Sequence, residues 1–159
     1  MADPASVIRR AEPGEEFEIS RVMIASITEL CAADHRNDRA FIDRWVSNKS
    51  PDHVRAWIES GTQILVAETG SRPAGVSAAT PEGEVLLLFI APEAAGRGIG
   101  KTLLCHLETW LADRGMAEAY LESSLTAVAF YRRAGWRDLG IFPGSFDMPG
   151  HRMRKRLSP

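Results

Sequence analysis

The sequence predicts an α+β fold in which a central, mixed and mostly antiparallel sheet carries helices on both faces. Apolar runs of strand length alternate with segments whose apolar residues recur every three or four positions, and three strands follow one another in the middle of the chain. The predicted order is β-α-α-β-β-β-α-β-α-β-β. The length of 159 residues, 45% of them apolar, suits one domain over residues 1–159.

The N-terminal third is predicted to be one strand followed by helices. Pro13-Gly14 ends the strand, and an acidic first turn favours the helix that follows, because carboxylates stabilise the positive end of the helix dipole. Ser50 is the expected N-cap of the last helix in this part. The predicted elements are a strand at Val7–Ala11, a helix at Glu15–Ala33, a polar loop at residues 34–38, and short helices at Arg39–Asn48 and Pro51–Glu59.

The remainder of the chain is predicted to supply most of the sheet. Gly115 and Gly135 end its two helices, since glycine readily adopts the left-handed conformation that follows a last helical turn. The predicted strands are Gln63–Glu68, Arg72–Ala79, Val85–Ala91, Ala117–Glu122, Trp136–Ile141 and Arg152–Leu157, and the predicted helices are Ile99–Arg114 and Leu125–Ala134.

Composition excludes several classes of function. The 19 Lys plus Arg against 21 Asp plus Glu leave a net charge of −2, so the chain is not a globally basic binder of nucleic acid or of anionic membranes. No signal-peptide core is visible, and no apolar run approaches the ~20 residues of a membrane helix. Two cysteines fit a reducing compartment, so we expect a cytoplasmic protein with neither nucleic-acid nor membrane partners.

A glycine-rich segment between an apolar strand and a helix predicts a phosphate site. Gly96-Arg97-Gly98-Ile99-Gly100 allows backbone N–H groups to approach a ligand closely, and the helix that begins there has N–H groups without partners. Arg97 and Lys101 place positive charge where the helix dipole alone disfavours it. A bound phosphate explains that arrangement better than helix stability does, the alternative being an ordinary glycine-rich turn.

Two nucleotide motifs fit this segment poorly. The spacing Gly-x-Gly-x-Gly is not that of a dinucleotide fold, and the preceding strand is the fourth. Gly100-Lys101-Thr102 matches the end of a P-loop, but Ala95 stands where its first glycine belongs. No later apolar strand ends in an aspartate that could hold Mg²⁺.

A third possibility is a pyrophosphate site for acyl-coenzyme A, and here the sequence resembles the GNAT superfamily of N-acetyltransferases. The first family signature appears as Phe89-Ile90-Ala91-Pro92 followed by Ala95-Gly96-Arg97-Gly98-Ile99-Gly100. The second appears, in family order and at family separation, as Ser124-Leu125-Thr126-Ala127-Val128-Ala129-Phe130-Tyr131-Arg132-Arg133-Ala134-Gly135-Trp136. Met153-Arg154-Lys155 resembles the family's closing strand, and the predicted element order resembles the family fold.

The resemblance implies acetyl-CoA as cofactor. Backbone groups of Leu88, Phe89 and Ile90 would pair with the pantetheine, and the pyrophosphate would lie on Ala95, Gly96, Arg97, Gly98, Ile99, Gly100 and Lys101. Two residues depart from the family pattern. Ala95 replaces a Gln or Arg side chain near the pyrophosphate, and Ser124 replaces an Asn near the pantetheine with a shorter hydroxyl.

Tyr131 matches the family tyrosine that protonates the departing sulfur. A phenol of pKa ~10 can donate a proton to a thiolate whose conjugate acid has a pKa of ~8.5. From its own pattern, Tyr131 would be a half-buried aromatic residue on a short helix. The two motifs together favour the acid role.

The general base has several candidates. Glu84 begins the apolar strand where one branch of the family carries a catalytic glutamate, although a solvated carboxylate at a strand end explains it equally well. Glu122 and His35 are alternatives, as is a chain of waters without any single base. His35, Trp45 and Glu122 are also predicted to bind the acceptor, with Asp34 and Asp38 in the same wall.

Taken together, these features predict an N-acetyltransferase that moves an acetyl group from acetyl-CoA directly to a primary amine, with Tyr131 as general acid. The alternative is a non-catalytic acyl-CoA-binding module, which the two departures favour. The acceptor is expected to be a small-molecule or peptide amine. We expect no metal, because neither Cys31 nor Cys105 has a His at ligand spacing. Exposed sheet edges often support dimers in the family, so a homodimer is an expectation.

Overall fold

The computed structural model describes residues 6–144 and 148–158, and within them the chain forms seven strands and six α-helices. The strands are β1 (Val7–Arg10), β2 (Gln63–Thr69), β3 (Arg72–Ala79), β4 (Glu84–Ile90), β5 (Glu118–Ser123), β6 (Arg137–Pro143) and β7 (Pro149–Arg156). The helices are α1 (Glu16–Leu30), α2 (Ala32–His35), α3 (Arg39–Val46), α4 (Pro51–Glu59), α5 (Ile99–Asp113) and α6 (Val128–Arg133), and a 3₁₀ turn covers Pro92–Ala94.

The strands form one open sheet in the order β1-β2-β3-β4-β5-β7-β6. Every neighbouring pair is antiparallel except β4 and β5, which are parallel. This arrangement confirms the predicted mixed, mostly antiparallel sheet.

Helices cover both faces of the sheet, as the sequence predicts. Runs of consecutive buried residues in β2 and β3 show that both faces of these strands are protected from water. At the end of β4, Ile90 lies under α5, where its Cδ1 atom is close to Gly75 and Leu103. Its neighbour Phe89 points to the opposite face and packs with Ile27 of α1 and Trp45 of α3.

The first difference from the prediction lies before β2, where the described residues form four helices, whereas the predicted order counts two and the predicted elements include three. The predicted loop at residues 34–38 is partly helical, because α2 continues to His35. Left-handed backbone at Arg36 and Asn37, with φ of 50° and 61°, then ends α2. The Asp38 side chain caps α3 by accepting a hydrogen bond from the Ala40 N–H at 3.0 Å.

The second difference is the start of α6, which is predicted at Leu125 and lies at Val128. The backbone N–H groups of Leu125 and Thr126 donate to the Asp34 carboxylate at 2.7 and 3.1 Å. The segment that precedes α6 is therefore held by a long-range contact to α2. A contact across so many residues leaves no periodic signal in the sequence.

Candidate active site

A cleft opens in the middle of the sheet, between β4 and β5. The two strands pair only at the beginning of β4 and the middle of β5, where Glu84 faces Tyr120 and Val85 faces Leu121. Further along, β4 stays paired with β3 as far as Ile90, while β5 follows its antiparallel partner β7. The strands therefore separate and leave a space of about 370 Å³.

The cleft brings together most of the residues that the sequence nominates for chemistry or acceptor binding. Tyr131, Glu84, Glu122, Trp45 and Ser124 all line it, as do the predicted pantetheine residues Leu88 and Phe89. The other lining residues are Asn48, Lys49, Trp57, Val85, Leu86, Leu87, Leu121, Ser123, Ala127 and Met148. Ile90, the segment from Ala95 to Lys101, and His35 lie outside it.

Beyond Val85, the edge of β4 that faces β5 has no strand partner among residues 6–144 and 148–158. The Ala91 N–H donates to the Ala74 carbonyl of the neighbouring chain segment at 2.8 Å, which sets the alternation of the antiparallel ladder. Residues 87, 89 and 91 direct their N–H groups toward β3, so those of Leu88 and Ile90 point the other way, toward the gap. Two backbone donors are thus available at the edge where β5 has moved away.

The glycine-rich segment lies at the end of β4 and forms the N-terminus of α5. Gly96 and Gly98 have φ of +80° and +81°, a region that favours glycine, and no atom lies within 4 Å of the position that a Cβ atom would occupy on either residue. Gly98 is the N-cap of α5 and offers no side-chain acceptor. The first N–H groups of α5 therefore remain available to an anion, beside the exposed side chains of Arg97 and Lys101.

Tyr131 is buried, with an exposed fraction of 6%, yet its side chain reaches the cleft. The ring makes edge contacts with Phe130 at 5.1 Å and Trp136 at 5.9 Å between centroids, and these contacts hold its orientation. Within residues 6–144 and 148–158, no group hydrogen-bonds to the Tyr131 hydroxyl. Burial raises the pKa of this phenol above its usual value, so it keeps its proton at neutral pH.

Glu84 and Glu122 approach one another at the closed end of the cleft. Desolvation raises the pKa of the half-buried Glu84 carboxyl, and the charge of Glu122 raises it further. Glu122 is exposed. Two of the carboxylates that the sequence predicts as candidates for the general base therefore lie near each other in the cleft.

His35 occupies a different environment from the one that the sequence suggests. It is 1% exposed, and both ring nitrogens are engaged inside the protein. Nδ1 accepts a hydrogen bond from the Asn37 N–H at 2.9 Å, so Nε2 carries the proton and donates to the Ile27 carbonyl at 2.8 Å. The structure therefore does not bring His35 to the cleft. The His35 ring instead makes an edge contact with the ring of Trp45, which does line the cleft.

Ser124 and Asp34 have structural contacts beside the cleft. The Ser124 hydroxyl accepts from the Ala127 N–H at 3.3 Å, which caps the turn before α6. Asp34, placed by the sequence in the acceptor wall, instead accepts from Leu125, from the Thr126 backbone and from the Thr126 hydroxyl. Both residues position the segment that leads to Tyr131.

Sequence reasoning did not single out Lys49, Trp57 or Met148, which also line the cleft. These three residues lie on separate parts of the chain, and no motif joins them. Trp57 lies at a helical spacing in α4, and such a spacing predicts packing in the core as well as it predicts a place in a cleft. Lys49 follows α3 in a short polar stretch that is typical of a solvated loop.

Two further properties concern the described part of the chain only. None of its helices has the length and hydropathy that a membrane crossing requires. No group of three or more His, Cys, Asp or Glu side chains in residues 6–144 and 148–158 could hold a metal ion. Metal independence of the site remains a prediction.

Comparison with known proteins gives relatives along most of the chain. The chain is 36% identical over 142 residues to mycothiol acetyltransferase of Clavibacter sepedonicus, an alignment that covers 80% of this chain and 47% of that protein. A shorter match, 36% identical over 63 residues, covers 38% of this chain and 41% of an IAA acetyltransferase of Azospirillum brasilense. The chain thus spans about half the length of these relatives.

Solved structures share the fold. A GCN5-related N-acetyltransferase from Rhodopseudomonas palustris superposes with a TM-score of 0.86 at 21% identity, covering 99% of both chains. PaiA N-acetyltransferase from Thermoplasma acidophilum, solved in complex with coenzyme A, gives 0.81 at 20% identity and covers 97% of this chain and 100% of that one. The model of the acetyltransferase (GNAT) domain matches residues 29–157. With the split sheet and the glycine-rich helix start described above, this match shows that the chain belongs to the GNAT acetyltransferase family.

Proposed function

We propose that this chain is an N-acetyltransferase that moves an acetyl group from acetyl-CoA directly to a primary amine. One observation carries the proposal: in the described part of the chain, the edge of β4 without a strand partner beyond Val85 and the Tyr131 hydroxyl without a hydrogen bond meet at one split in the sheet, and the glycine-rich start of α5 follows at the end of β4. Family membership supports the same reaction, as do the acetyltransferase names of the relatives.

The residues present fit a coenzyme A molecule. The backbone conformation at Gly96 and Gly98 keeps N–H groups exposed at a helix start, and the open space around both residues leaves room for a pyrophosphate. Lys101 adds positive charge at the same end. The Leu88 and Ile90 N–H groups can donate hydrogen bonds to the amide carbonyls of an extended pantetheine, which would then lie along β4 as a further strand does. Backbone donors compensate for the small side chain of Ala95.

The chemistry requires a neutral amine, a stabilised oxyanion and a protonated leaving thiolate. Glu84 is the proposed base, since its carboxylate lies in the cleft and a raised pKa makes it a better proton acceptor. The β4 N–H groups donate to the thioester oxygen as it becomes negative. The hydroxyl of Tyr131 gives its proton to the sulfur as the C–S bond breaks and the amide bond forms.

The substitution Tyr131→Phe tests this function. Removing the hydroxyl deletes the proposed acid and leaves the buried ring contacts in place, so we expect kcat to fall about 10²-fold or more. The dissociation constant for acetyl-CoA should change less than about threefold, because the phosphate and backbone contacts remain. Release of free CoA thiol across a panel of amines gives the rate, and titration calorimetry gives the dissociation constant.

The matched control is Tyr120→Phe, because Tyr120 is 43% exposed on β5 and does not line the cleft. We expect this variant to keep the wild-type rate. Equal rates for Tyr131→Phe and wild type would remove the acid role. Acetyl-CoA binding with no thiol release from any amine would indicate a non-catalytic binding module instead.

The acceptor of the proposed reaction is a small-molecule or peptide amine. The relatives' names refer to acetylation of mycothiol-related and IAA-related substrates, which supports a small-molecule acceptor. We propose that residues 1–159 act as one acyltransferase domain in the cytoplasm, without nucleic-acid or membrane partners. A homodimer remains part of the proposal, and the oligomeric state measured by light scattering tests it.

A further inference from the structure

One wall of the cleft carries a buried lysine that the proposed reaction does not use. Lys49 is 9% exposed and lies just after α3, where its backbone carbonyl accepts a hydrogen bond from the buried Ser20 hydroxyl at 2.6 Å. Its ammonium group donates to the Asn48 side-chain oxygen at 2.6 Å. The backbone contact holds this segment beside the cleft, which the Lys49 side chain lines.

The ammonium of Lys49 has no counter-ion in the described part of the chain. No carboxylate of residues 6–144 or 148–158 lies within 4 Å of it, and its hydrogen-bond partner Asn48 is neutral. A buried charge without a partner is costly. Desolvation accordingly lowers the pKa of Lys49 to about 8, so the group stays mostly protonated at neutral pH.

The cleft therefore contains charges of both signs that do not pair with one another. The carboxylates Glu84 and Glu122 lie together and suit the cationic form of an incoming amine, whereas Lys49 contributes a positive charge that forms no ion pair with either of them. With one N–H bound to Asn48, the ammonium has two donors left, and the oxygens of a carboxylate can accept both. Between the charged groups, the walls include the aromatic rings of Trp45 and Trp57.

We propose that Lys49 binds a carboxylate of the acceptor, so that the preferred substrates are compact amines that also carry a carboxylate and an apolar body. An apolar α-amino acid is the simplest member of this class. The inference depends on the proposed acetyltransferase function and specifies its substrate. The acceptor carboxylate would supply the counter-ion that the Lys49 ammonium lacks among residues 6–144 and 148–158.

The test compares acceptors that differ in one group. L-Phenylalanine, L-phenylalaninamide and 2-phenylethylamine share an amine and a ring, and only the first carries a carboxylate. For the wild type we expect kcat/KM to be about 10- to 100-fold higher for phenylalanine than for the amide, which is the effect of one buried charged hydrogen bond. The dipeptide phenylalanyl-alanine, with its amine and carboxylate further apart, separates recognition of an amino acid from recognition of a peptide end.

Variants assign the preference to Lys49. Lys49→Met keeps a long, unbranched side chain and removes its charge. In this variant the ratio of kcat/KM for phenylalanine to kcat/KM for its amide should fall to about 1. Lys49→Arg should recover part of it. The control Arg39→Met removes a positive charge from an exposed position on α3 and should keep the wild-type ratio. Because an unpaired buried charge is lost, the melting temperature of Lys49→Met should not decrease, and thermal unfolding checks this.

A second measurement does not depend on turnover. Titration calorimetry of N-acetyl-phenylalanine and of its amide into the CoA-loaded protein should show the same preference for the carboxylate and the same loss in Lys49→Met. A wild type that does not distinguish the two ligands in either assay overturns the inference. An equal decrease of kcat/KM for both acceptors in Lys49→Met also overturns the inference, because it indicates that Lys49 acts in proton transfer or in structure.

The two proposals fail in different ways. If no amine in the panel releases CoA thiol, the acetyltransferase function fails. If the amines without a carboxylate react as well as phenylalanine or better, the function stands and the carboxylate inference fails. A preference for phenylalanyl-alanine over phenylalanine contradicts the compact amino acid and assigns the site to peptide ends.

Discussion

The environment of a single carboxylate decides whether it can act as a base, and Glu84 illustrates this. From the sequence, a glutamate at the start of an apolar strand after a turn is equally consistent with a solvated surface group. In the fold, Glu84 is half-buried beside Glu122, and loss of water together with the neighbouring negative charge raises its pKa. A carboxylate of raised pKa accepts protons more readily near neutral pH.

This environment predicts a pH dependence of the rate. Glu84 must be ionised to accept a proton, so kcat at saturating acceptor should fall at acid pH, with a midpoint above the usual glutamate pKa of ~4.3. Glu122→Gln removes the neighbouring charge and should move this midpoint to lower pH. Glu84→Gln should lower kcat by about 10²-fold and abolish the acid limb.

The matched control for these variants is Glu118→Gln, because Glu118 lies on the same strand as Glu122 and forms an exposed ion pair with Arg154. Its pH–rate profile should coincide with that of the wild type. An unchanged midpoint in Glu122→Gln would show that the two carboxylates do not interact during the reaction. An acid limb that persists in Glu84→Gln would assign the base to another group or to water.

At the scale of elements, one contact links the helices on one face of the sheet to the helix that carries Tyr131. Asp34 of α2 binds the segment before α6 through two backbone N–H groups and the Thr126 hydroxyl. Bonds that involve an ionised acceptor are stronger than neutral ones. Asp34 is therefore a positioning residue for the wall that contains Ser124 and Tyr131.

Removing this contact should affect both stability and turnover. Asp34→Ala deletes the acceptor of several hydrogen bonds, so we expect the free energy of unfolding to fall by about 2 kcal/mol. We also expect kcat to fall more than the affinity for acetyl-CoA, since the glycine-rich segment is untouched. Asp34→Asn retains one carbonyl acceptor and should recover part of kcat. Urea unfolding and thiol-release kinetics measure the two effects.

Asp38→Ala is the control for a purely structural loss. Asp38, which the sequence places in the acceptor wall, does not line the cleft and instead caps α3. Removing this side chain should lower the free energy of unfolding by about 1 kcal/mol. Turnover should stay at the wild-type level in this variant. A parallel decrease of kcat in Asp34→Ala and Asp38→Ala would mean that stability alone limits activity.

For the molecule as a whole, a cluster at the far end of the sheet connects three elements. The Asp138 carboxylate on β6 accepts a hydrogen bond from Nδ1 of His151 on β7 at 2.9 Å, and it also binds Arg132 of α6. The Gly140 N–H donates to it at 2.8 Å. These partners, His151 first and Arg132 second, hold the pKa of Asp138 well below its usual range.

The depressed pKa of Asp138 predicts a loss of stability in acid. A carboxyl group whose pKa is lower in the folded than in the unfolded state stabilises the fold above its unfolded pKa of ~3.9, and this stabilisation disappears as the pH falls through the folded pKa. The melting temperature of the wild type should therefore fall steeply below about pH 4. Asp138→Asn should reduce stability at pH 7 and flatten this acid dependence.

Asp113→Asn provides the comparison, because Asp113 is an exposed carboxylate at the last turn of α5. Calorimetric melting curves between pH 3 and pH 7 should coincide for this variant and the wild type. If the melting temperature of Asp138→Asn decreases in acid as steeply as that of the wild type, other carboxylates, such as Glu15 paired with Arg9, control the acid limit.

Local patterns were sufficient for much of this fold. The apolar run at residues 85–91 predicts a strand, and β4 covers Glu84–Ile90. Ser50 and Pro51 favour a helix start by their own geometry, and α4 begins at Pro51. The glycine-rich segment likewise predicts an anion site, because positive φ and free N–H groups are properties of adjacent residues. Helix ends next to long-range contacts, such as the start of α6, were misplaced.

The sequence by itself determined the fold class and the strands of the central sheet, and it predicts an anion site at the start of α5, since each depends on residues that are neighbours in the chain. Only the tertiary structure decided where β4 and β5 separate, because each strand follows a different antiparallel partner. It also buried His35 away from the cleft and brought Lys49 to its wall. The environment of a titratable group depends on packing between distant segments, and no local pattern encodes it.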